Sequence, residues 1–145
     1  MSLVSILLVD DYAPWRRYVT SKLQRHPELQ VVGEVSDGLK AIQQTAKLQP
    51  DLVLLDIGLP KLNGIEVVRR TRALAPKSKV LIVSQYCFAD VVQEAFSEGA
   101  WGYIDKSDAG SELLPAVEAV IRGEKFVSSR LAEELPNPII PFHRK

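Results

Sequence analysis

Short runs of mostly apolar residues alternate with longer amphipathic segments along this sequence, and the alternation limits the folds that the chain can adopt. Val4–Val9, Leu52–Leu55 and Lys79–Val83 are examples of the short runs. In the longer segments apolar residues recur every three or four positions, which is the spacing of one helix face. Strands that are apolar along their whole length are typical of a parallel sheet with helices on both faces. The alternation therefore predicts an α/β protein.

Five strand–helix units can be placed in this way. Right-handed crossovers between parallel strands bring the carboxyl ends of all strands to one edge of the sheet, where ligands bind in such folds. Pro115 is expected early in the last helix, where its missing N–H costs least. The predicted strands are Val4–Val9, Val31–Val35, Leu52–Leu55, Lys79–Val83 and Trp101–Ile104, and the predicted helices cover roughly 14–25, 39–49, 65–74, 91–99 and 111–122.

The character of the sequence changes after Gly123. Residues 1–123 are predicted to form one domain, and residues 124–145 a short helix followed by a proline-rich linker or tail. The short helix is placed within 126–135, with Ser128 or Ser129 as its cap. Regular structure is expected to stop at three prolines, Pro136, Pro138 and Pro141.

Charge and cysteine content argue against some classes of function. Eighteen basic residues balance eighteen acidic ones, so the overall charge gives no reason to expect nucleic acid binding. The single cysteine, Cys87, cannot form an internal disulfide and is interpreted as structural. The N-terminus lacks a basic region followed by a long apolar run, and no run reaches the length of a membrane span. The sequence therefore predicts a cytoplasmic protein without membrane contact.

Polar side chains follow the predicted strands at the edge where their carboxyl ends meet. Asp10 and Asp11 follow the first strand, Asp56 the third, Ser84 the fourth and Lys106 the fifth. Close carboxylates repel one another, and a hard divalent cation such as Mg²⁺ or Mn²⁺ relieves that repulsion. Histidine and cysteine, the usual zinc ligands, are absent from this set. The set therefore predicts a magnesium site.

A carboxylate beside such a cation can attack phosphorus and form an aspartyl phosphate. The cation and Lys106 would neutralise the transferring group, and Ser84 would donate a hydrogen bond to it. Each residue alone also has an ordinary interpretation: Asp10, Asp11 or Asp56 as a helix cap or turn residue, Ser84 as a strand-end hydroxyl, Lys106 as a solvated lysine. Their joint occurrence at successive strand ends favours phosphoryl transfer.

These motifs resemble the response-regulator receiver family of two-component signalling, over roughly residues 4–123. The resemblance implies a flavodoxin-like doubly wound fold, with a five-stranded parallel sheet in the order 2-1-3-4-5 and five flanking helices. Gly102–Ile104 and the opening of the last helix, Ser111–Leu114, are most similar to the subfamily whose receivers precede a LuxR/FixJ-type helix-turn-helix domain. The motifs that carry the resemblance are Leu7–Asp11, Asp51–Pro60, Asn63-Gly64, Val83-Ser84 and Gly99–Lys106.

The resemblance assigns roles to the acidic set and its lysine. Asp56 is the phosphoacceptor, and Lys106 pairs with the phosphoryl group. Asp11 and Asp56 bind Mg²⁺ together with the backbone carbonyl of Gly58, while Asp10 acts mainly through an intervening water.

The resemblance also implies a switch. The Ser84 hydroxyl moves to the phosphoryl group, and the Tyr103 ring rotates inward. The surface of the fourth helix, fifth strand and fifth helix would then change, with Trp101 and Phe88 as candidate members. The residues alone leave a second interpretation open, in which Tyr103 is a half-buried strand aromatic and the other two are ordinary packing residues.

Two positions depart from the family pattern. Gln85 follows Ser84 where the family usually has a small residue, and Gly58 has no side chain that could guide an attacking water. Together they predict a long-lived phosphoryl group. Trp15 lies one helical turn after Asp11, so its fluorescence is predicted to change on metal binding.

Other functions compete with this interpretation. A magnesium phosphatase of the haloacid dehalogenase class needs an acid two residues after its nucleophile, where this chain has Gly58. A flavodoxin-like flavin-binding module needs a phosphate-binding loop after the first strand, where this chain has Asp10-Asp11. A degenerate receiver that acts only as an interaction domain would not need the complete acidic site. The chain is therefore predicted to be a signalling domain and not a turnover enzyme.

The implied partners are a sensor histidine kinase and, after phosphorylation, a second copy of the chain. The residues after Gly123 are too few for a helix-turn-helix, so DNA is expected only through an effector domain outside this sequence. The sequence leaves open whether such a domain controls transcription or whether the receiver acts alone through protein partners.

Overall fold

The computed structural model describes residues 2–135, so the predicted proline-rich tail lies outside the described residues. Within this range six strands form a single sheet in the order β2-β1-β3-β4-β5-β6. All neighbouring strands are parallel. The α/β class and the predicted order of the first five strands are therefore confirmed. The strands are β1 (Val4–Val9), β2 (Leu29–Val35), β3 (Leu52–Leu55), β4 (Lys79–Ser84), β5 (Gly102–Asp105) and β6 (Phe126–Val127).

Helices follow the strands as the apolar spacing predicts. The Asn63 side chain accepts a hydrogen bond from Glu66 N at 3.1 Å and caps the start of the third helix. No helix within residues 2–135 is long and apolar enough to cross a membrane. The helices are α1 (Ala13–Leu23), α2 (Gly38–Leu48), α3 (Gly64–Leu74), α4 (Ala89–Ser97), α5 (Ala109–Ile121) and α6 (Ser129–Glu134), and a short 3-10 helix, Lys106–Asp108, precedes α5.

The prediction of five strands is wrong by one, because Phe126–Val127 pairs with β5, whereas α6 lies within residues 126–135, where the sequence predicts a short helix. Phe126 N donates to the Trp101 carbonyl and Ser128 N to the Tyr103 carbonyl, each at 3.1 Å. A two-residue strand has no periodicity of its own. It forms here because the edge of β5 offers unpaired backbone groups.

Successive side chains of each central strand point to opposite faces of the sheet, and both faces are buried. Leu7 and Val9 of β1 pack with residues of α2, α3, α4 and α6. Ile6 and Leu8 pack with residues of α1 and α5 on the other face. This explains why the central strands are apolar at every position.

Strand register brings the polar residues to one edge. Val9 of β1 pairs with Leu55 of β3, so the next residues along the chain, Asp10 and Asp56, are neighbours. Ser84, the last residue of β4, pairs with Asp105 of β5, which directly precedes Lys106.

Candidate functional site

Three carboxylates meet at the carboxyl edge of the sheet. One oxygen from each of Asp10, Asp11 and Asp56 lies within 4.8 Å of the others. Asp10 and Asp56 are buried and Asp11 is exposed. Burial raises the pKa of Asp10 above its ordinary value, and its hydrogen bond to Lys106 acts in the opposite direction. The carboxylates that the sequence placed together are therefore close in space.

Lys106 reaches into this cluster from the turn after β5. Its Nζ lies 2.7 Å from Asp10 Oδ2 and 3.5 Å from Asp56 Oδ2. The same Nζ lies 5.0 Å from the centre of the Trp15 ring, a cation–π contact. Lys106 is thus a charge partner with a side chain that is only 11% exposed, and not the solvated lysine that the sequence also allowed.

Ser84 is fully buried beside Asp56. Its hydroxyl donates to Asp56 Oδ1 at 2.8 Å and accepts from Tyr86 N at 3.1 Å. Ser84 therefore connects the Asp56 carboxylate to the chain that follows β4.

Tyr103 is fully buried, in place of the half-buried strand aromatic that the residues alone allowed. Its hydroxyl donates to the Tyr86 carbonyl. Burial raises the pKa of this phenol, so it stays protonated and keeps its donor. Ser84 and Tyr103, the predicted switch pair, thus contact opposite ends of one residue, Tyr86.

Tyr86 is a site residue that the sequence reasoning missed. A Cβ placed on Gly58 would lie 2.5 Å from Cε2 of the Tyr86 ring, so the ring occupies the space that a side chain at position 58 would need. Gly58 N donates a long, 3.4 Å hydrogen bond to Asp56 Oδ1. Gln85, which the sequence singled out, is exposed. A glycine followed by a distant aromatic gives no periodic signal that would link them.

The helix-cap interpretation of the first two acids is wrong. The N-cap of α1 is Tyr12, which makes no side-chain cap bond. Asp10 Oδ1 instead accepts from Tyr12 N at 2.9 Å, which turns the chain while Oδ2 faces Lys106. Trp15 lines the small cavity beside Asp10 and Asp56, close to its predicted place.

Cys87 has a structural environment. Its thiol donates to the Ser84 carbonyl at 3.3 Å, and burial raises its pKa to about 12. A thiol with such a pKa stays protonated and is a poor nucleophile.

The donor chemistry of the cluster fits a hard divalent cation. Three carboxylate oxygens converge, two of them on buried residues, and within residues 2–135 no histidine or cysteine joins them. The assignment of these three acids and of the Gly58 carbonyl as metal ligands remains a prediction.

A parallel sheet in this order, with acids, a lysine and a hydroxyl on its carboxyl edge, defines a class of proteins, the doubly wound α/β domains with an acidic site. The sequence model described as response regulator receiver domain matches residues 6–118. The chain belongs to the response regulator receiver family.

Curated relatives and a solved structure agree with this assignment. The chain is 35% identical over 133 residues to the DNA-binding transcriptional activator DevR/DosR of Mycobacterium tuberculosis, covering 92% of this chain. It is 33% identical over 131 residues to the nitrate/nitrite response regulator protein NarL of Escherichia coli, covering 90% of this chain. A LuxR-family two-component response regulator from Aurantimonas sp. SI85-9A1 superposes with a TM-score of 0.88 at 33% identity, over 92% of this chain and 96% of that one. The relatives are thus LuxR/NarL-type response regulators, and the chain spans 61% of the length of each of the two curated proteins.

Proposed function

We propose that this chain is a phosphoacceptor switch in which Asp56 takes a phosphoryl group from a sensor histidine kinase. The observation that carries the proposal is the environment of Asp56. Its two oxygens face Ser84 at 2.8 Å and Lys106 at 3.5 Å, and Asp10 and Asp11 lie within 4.8 Å. A buried carboxylate with this set of neighbours suits attack on phosphorus.

The transfer moves one phosphoryl group and consumes no other reactant. A carboxylate oxygen of Asp56 bonds to phosphorus while the phosphorus–nitrogen bond of the donor phosphohistidine breaks, and the departing imidazole keeps the electron pair. Lys106 neutralises negative charge on the transferred group, and Ser84 donates a hydrogen bond to it.

The residues that would hold Mg²⁺, or Mn²⁺, are Asp10, Asp11, Asp56 and the Gly58 carbonyl. When bound, the cation supplies charge neutralisation of the phosphoryl oxygens. Without it, Lys106 is left to offset the clustered acids.

Tyr86 would connect the two residues of the switch pair, Ser84 and Tyr103. The Ser84 hydroxyl contacts both Asp56 and Tyr86 N, and the Tyr103 hydroxyl contacts the Tyr86 carbonyl. A new phosphoryl group would draw the Ser84 hydroxyl toward itself and alter the start of α4, where Phe88 is 68% exposed. This region is the surface whose change would favour a homodimer.

The output that the relatives suggest is transcription, with DNA bound through an effector domain. A stand-alone receiver that acts through protein contacts is the alternative. The division at residue 123 and a cytoplasmic location remain predictions.

The test is incubation with acetyl phosphate and Mg²⁺, followed by intact mass and by size exclusion. We expect the mass of one added phosphoryl group, absent in Asp56→Asn and in the presence of EDTA. A larger hydrodynamic size after phosphorylation would support the dimer. Steady turnover of a phosphate monoester would instead support a phosphatase, and an unmodified mass would contradict the proposal.

A further inference from the structure

Arg130 of α6 lies beyond residues 6–118, the part matched by the family, and yet contacts the turn that carries Lys106. Its Nη2 lies 3.2 Å from Asp105 Oδ2, 3.0 Å from Ser107 Oγ and 2.9 Å from Asp108 Oδ2. One guanidinium therefore connects the residue before Lys106 with the two residues after it.

The turn depends on these side chains for its shape. Asp105 Oδ1 accepts from both N and Oγ of Ser107 at 2.9 Å, which caps the 3-10 helix that begins at Lys106. The carboxylates of Asp105 and Asp108 share this single turn, and Arg130 offsets their mutual repulsion. Loss of the guanidinium would leave two like charges to open the turn.

A second contact from the same segment holds the residue before Lys106. Ser128 is fully buried, and its hydroxyl accepts from Asp105 N at 3.2 Å. Ser128 N in turn donates to the Tyr103 carbonyl at 3.1 Å. The start of α6 is therefore attached to the end of β5 through backbone and side chain together.

We infer that Arg130 is a positioning residue for Lys106, so that residues 126–134 belong to the phosphorylation site and do more than lead out of the domain. Lys106 Nζ sits 2.7 Å from Asp10 and 3.5 Å from Asp56, and the turn on which it stands sets these distances. The inference rests on the proposed function for its effect on rate, but the geometry of Lys106 can be measured without any phosphoryl donor.

The first test compares rates of phosphorylation by acetyl phosphate at saturating Mg²⁺ for the full chain and for Arg130→Ala. We expect the maximal rate to fall by a factor of about 3 to 10, less than the roughly hundredfold that a 1 Å misplacement can cost, because Arg130 acts through the turn. The donor concentration at half-maximal rate should change little, and Arg130→Lys should restore part of the rate.

The matched control is Arg122→Ala. Arg122 is 58% exposed and Arg130 56%, and each forms a surface ion pair in the C-terminal segment, but Arg122 pairs with Glu124, away from the Lys106 turn. This control should phosphorylate at the rate of the unsubstituted chain. If Arg130→Ala fails to fold, Arg130→Gln removes the positive charge, keeps a polar side chain at this position and should slow the reaction in the same way.

The second test needs no phosphoryl transfer. In a Trp101→Phe background Trp15 is the remaining tryptophan, and Lys106 Nζ lies over its ring at 5.0 Å. Arg130→Ala should shift the Trp15 emission in metal-free buffer, and Arg122→Ala should not. If the unsubstituted chain accepts no phosphoryl group, the proposed function fails while the emission still decides the position of Lys106. Unchanged emission together with an unchanged rate in Arg130→Ala would overturn the inference.

Discussion

At the scale of single residues, the buried charge of Asp10 lowers the stability of the folded protein. Its carboxylate is buried near Asp56, and burial raises its pKa above that of the unfolded chain. We therefore expect Asp10→Asn to stabilise the metal-free protein at pH 7, because the neutral amide removes the charge that burial disfavours. Urea unfolding in EDTA measures the difference.

The pH dependence of this effect has a definite sign. A raised pKa means that the folded state takes up a proton at a pH where the unfolded state is still ionised, so folding stability rises as pH falls through that range. The advantage of Asp10→Asn should accordingly be constant at pH values above the raised pKa and shrink as pH falls through it toward the ordinary value of 3.8. Glu133→Gln, at an exposed position on α6, is the control and should be nearly neutral. A variant less stable than the parent at pH 7 would contradict this account.

The ring of Tyr86 fills the space beside Gly58. We therefore attribute a long-lived phosphoryl group to this ring and not to Gln85. The sequence pointed to the Gln85 amide. Gln85 and Tyr86 are both exposed, but it is the Tyr86 ring that lies against Gly58. We predict that Tyr86→Ala shortens the half-life of the phosphorylated protein, because water gains access to the phosphoryl group. Phosphate release after removal of the donor measures this half-life.

The control for Tyr86 is Phe88→Ala, which removes a nearby aromatic ring that is 68% exposed. Gln85→Ala separates the two explanations. If it shortens the half-life more than Tyr86→Ala does, then the amide and not the ring limits access of water.

At the scale of elements, α5 starts earlier than its sequence pattern indicated. The helix begins at Ala109 and not near Ser111, so Pro115 lies in the helix interior and not early in it. A proline there supplies no N–H for the carbonyl of the preceding turn. The sequence could not reveal this, because the 3-10 helix Lys106–Asp108 leads directly into α5 and leaves no separate start signal.

We predict that Pro115→Ala stabilises the protein by about 2 to 2.6 kcal/mol. Proline in a helix interior destabilises the folded state by about 3 kcal/mol relative to alanine. It also restricts the unfolded chain, which stabilises the folded state by about 0.4 to 1 kcal/mol and offsets part of that cost. Pro115 is exposed, so the change creates no cavity. Thermal and urea unfolding measure the gain, and Glu118→Ala, exposed on the same helix, should change stability by less than about 0.5 kcal/mol. Equal stability of Pro115→Ala and the parent would show that the hydrogen bond missing at Pro115 does not destabilise the helix.

The elements that the sequence predicted best are those with long apolar patterns. Each strand from β1 to β5 overlaps its predicted range, because burial on both faces demands apolar residues throughout. The acids came together as expected because register in a parallel sheet aligns strand ends. β6 and the Tyr86–Gly58 contact were missed because both depend on partners distant in sequence, which no local period records.

At the scale of the whole molecule, the C-terminal segment completes the core. Val127 and Leu131 are buried in the cluster that contains Tyr103 and Phe96. Each buried side chain of this kind contributes about 1.5 to 3 kcal/mol. Their removal would also expose the edge of β5 beside the Lys106 turn. A boundary at residue 123 therefore separates residues that pack together.

We predict that a chain ending at Gly123 is less stable than one ending at Leu135 by about 2 kcal/mol or more, since it loses both buried side chains and the pairing of β6. The chain ending at Leu135 is the matched control, because it keeps every contact described for β6 and α6. Urea unfolding of both chains measures the difference. Amide hydrogen exchange locates it, with lost protection expected at Tyr103 and Asp105, next to the bonds that Ser128 makes. Equal stability and equal protection would mean that the domain is already complete at residue 123 without β6 and α6. In that case the Arg130 contact would not determine the position of Lys106.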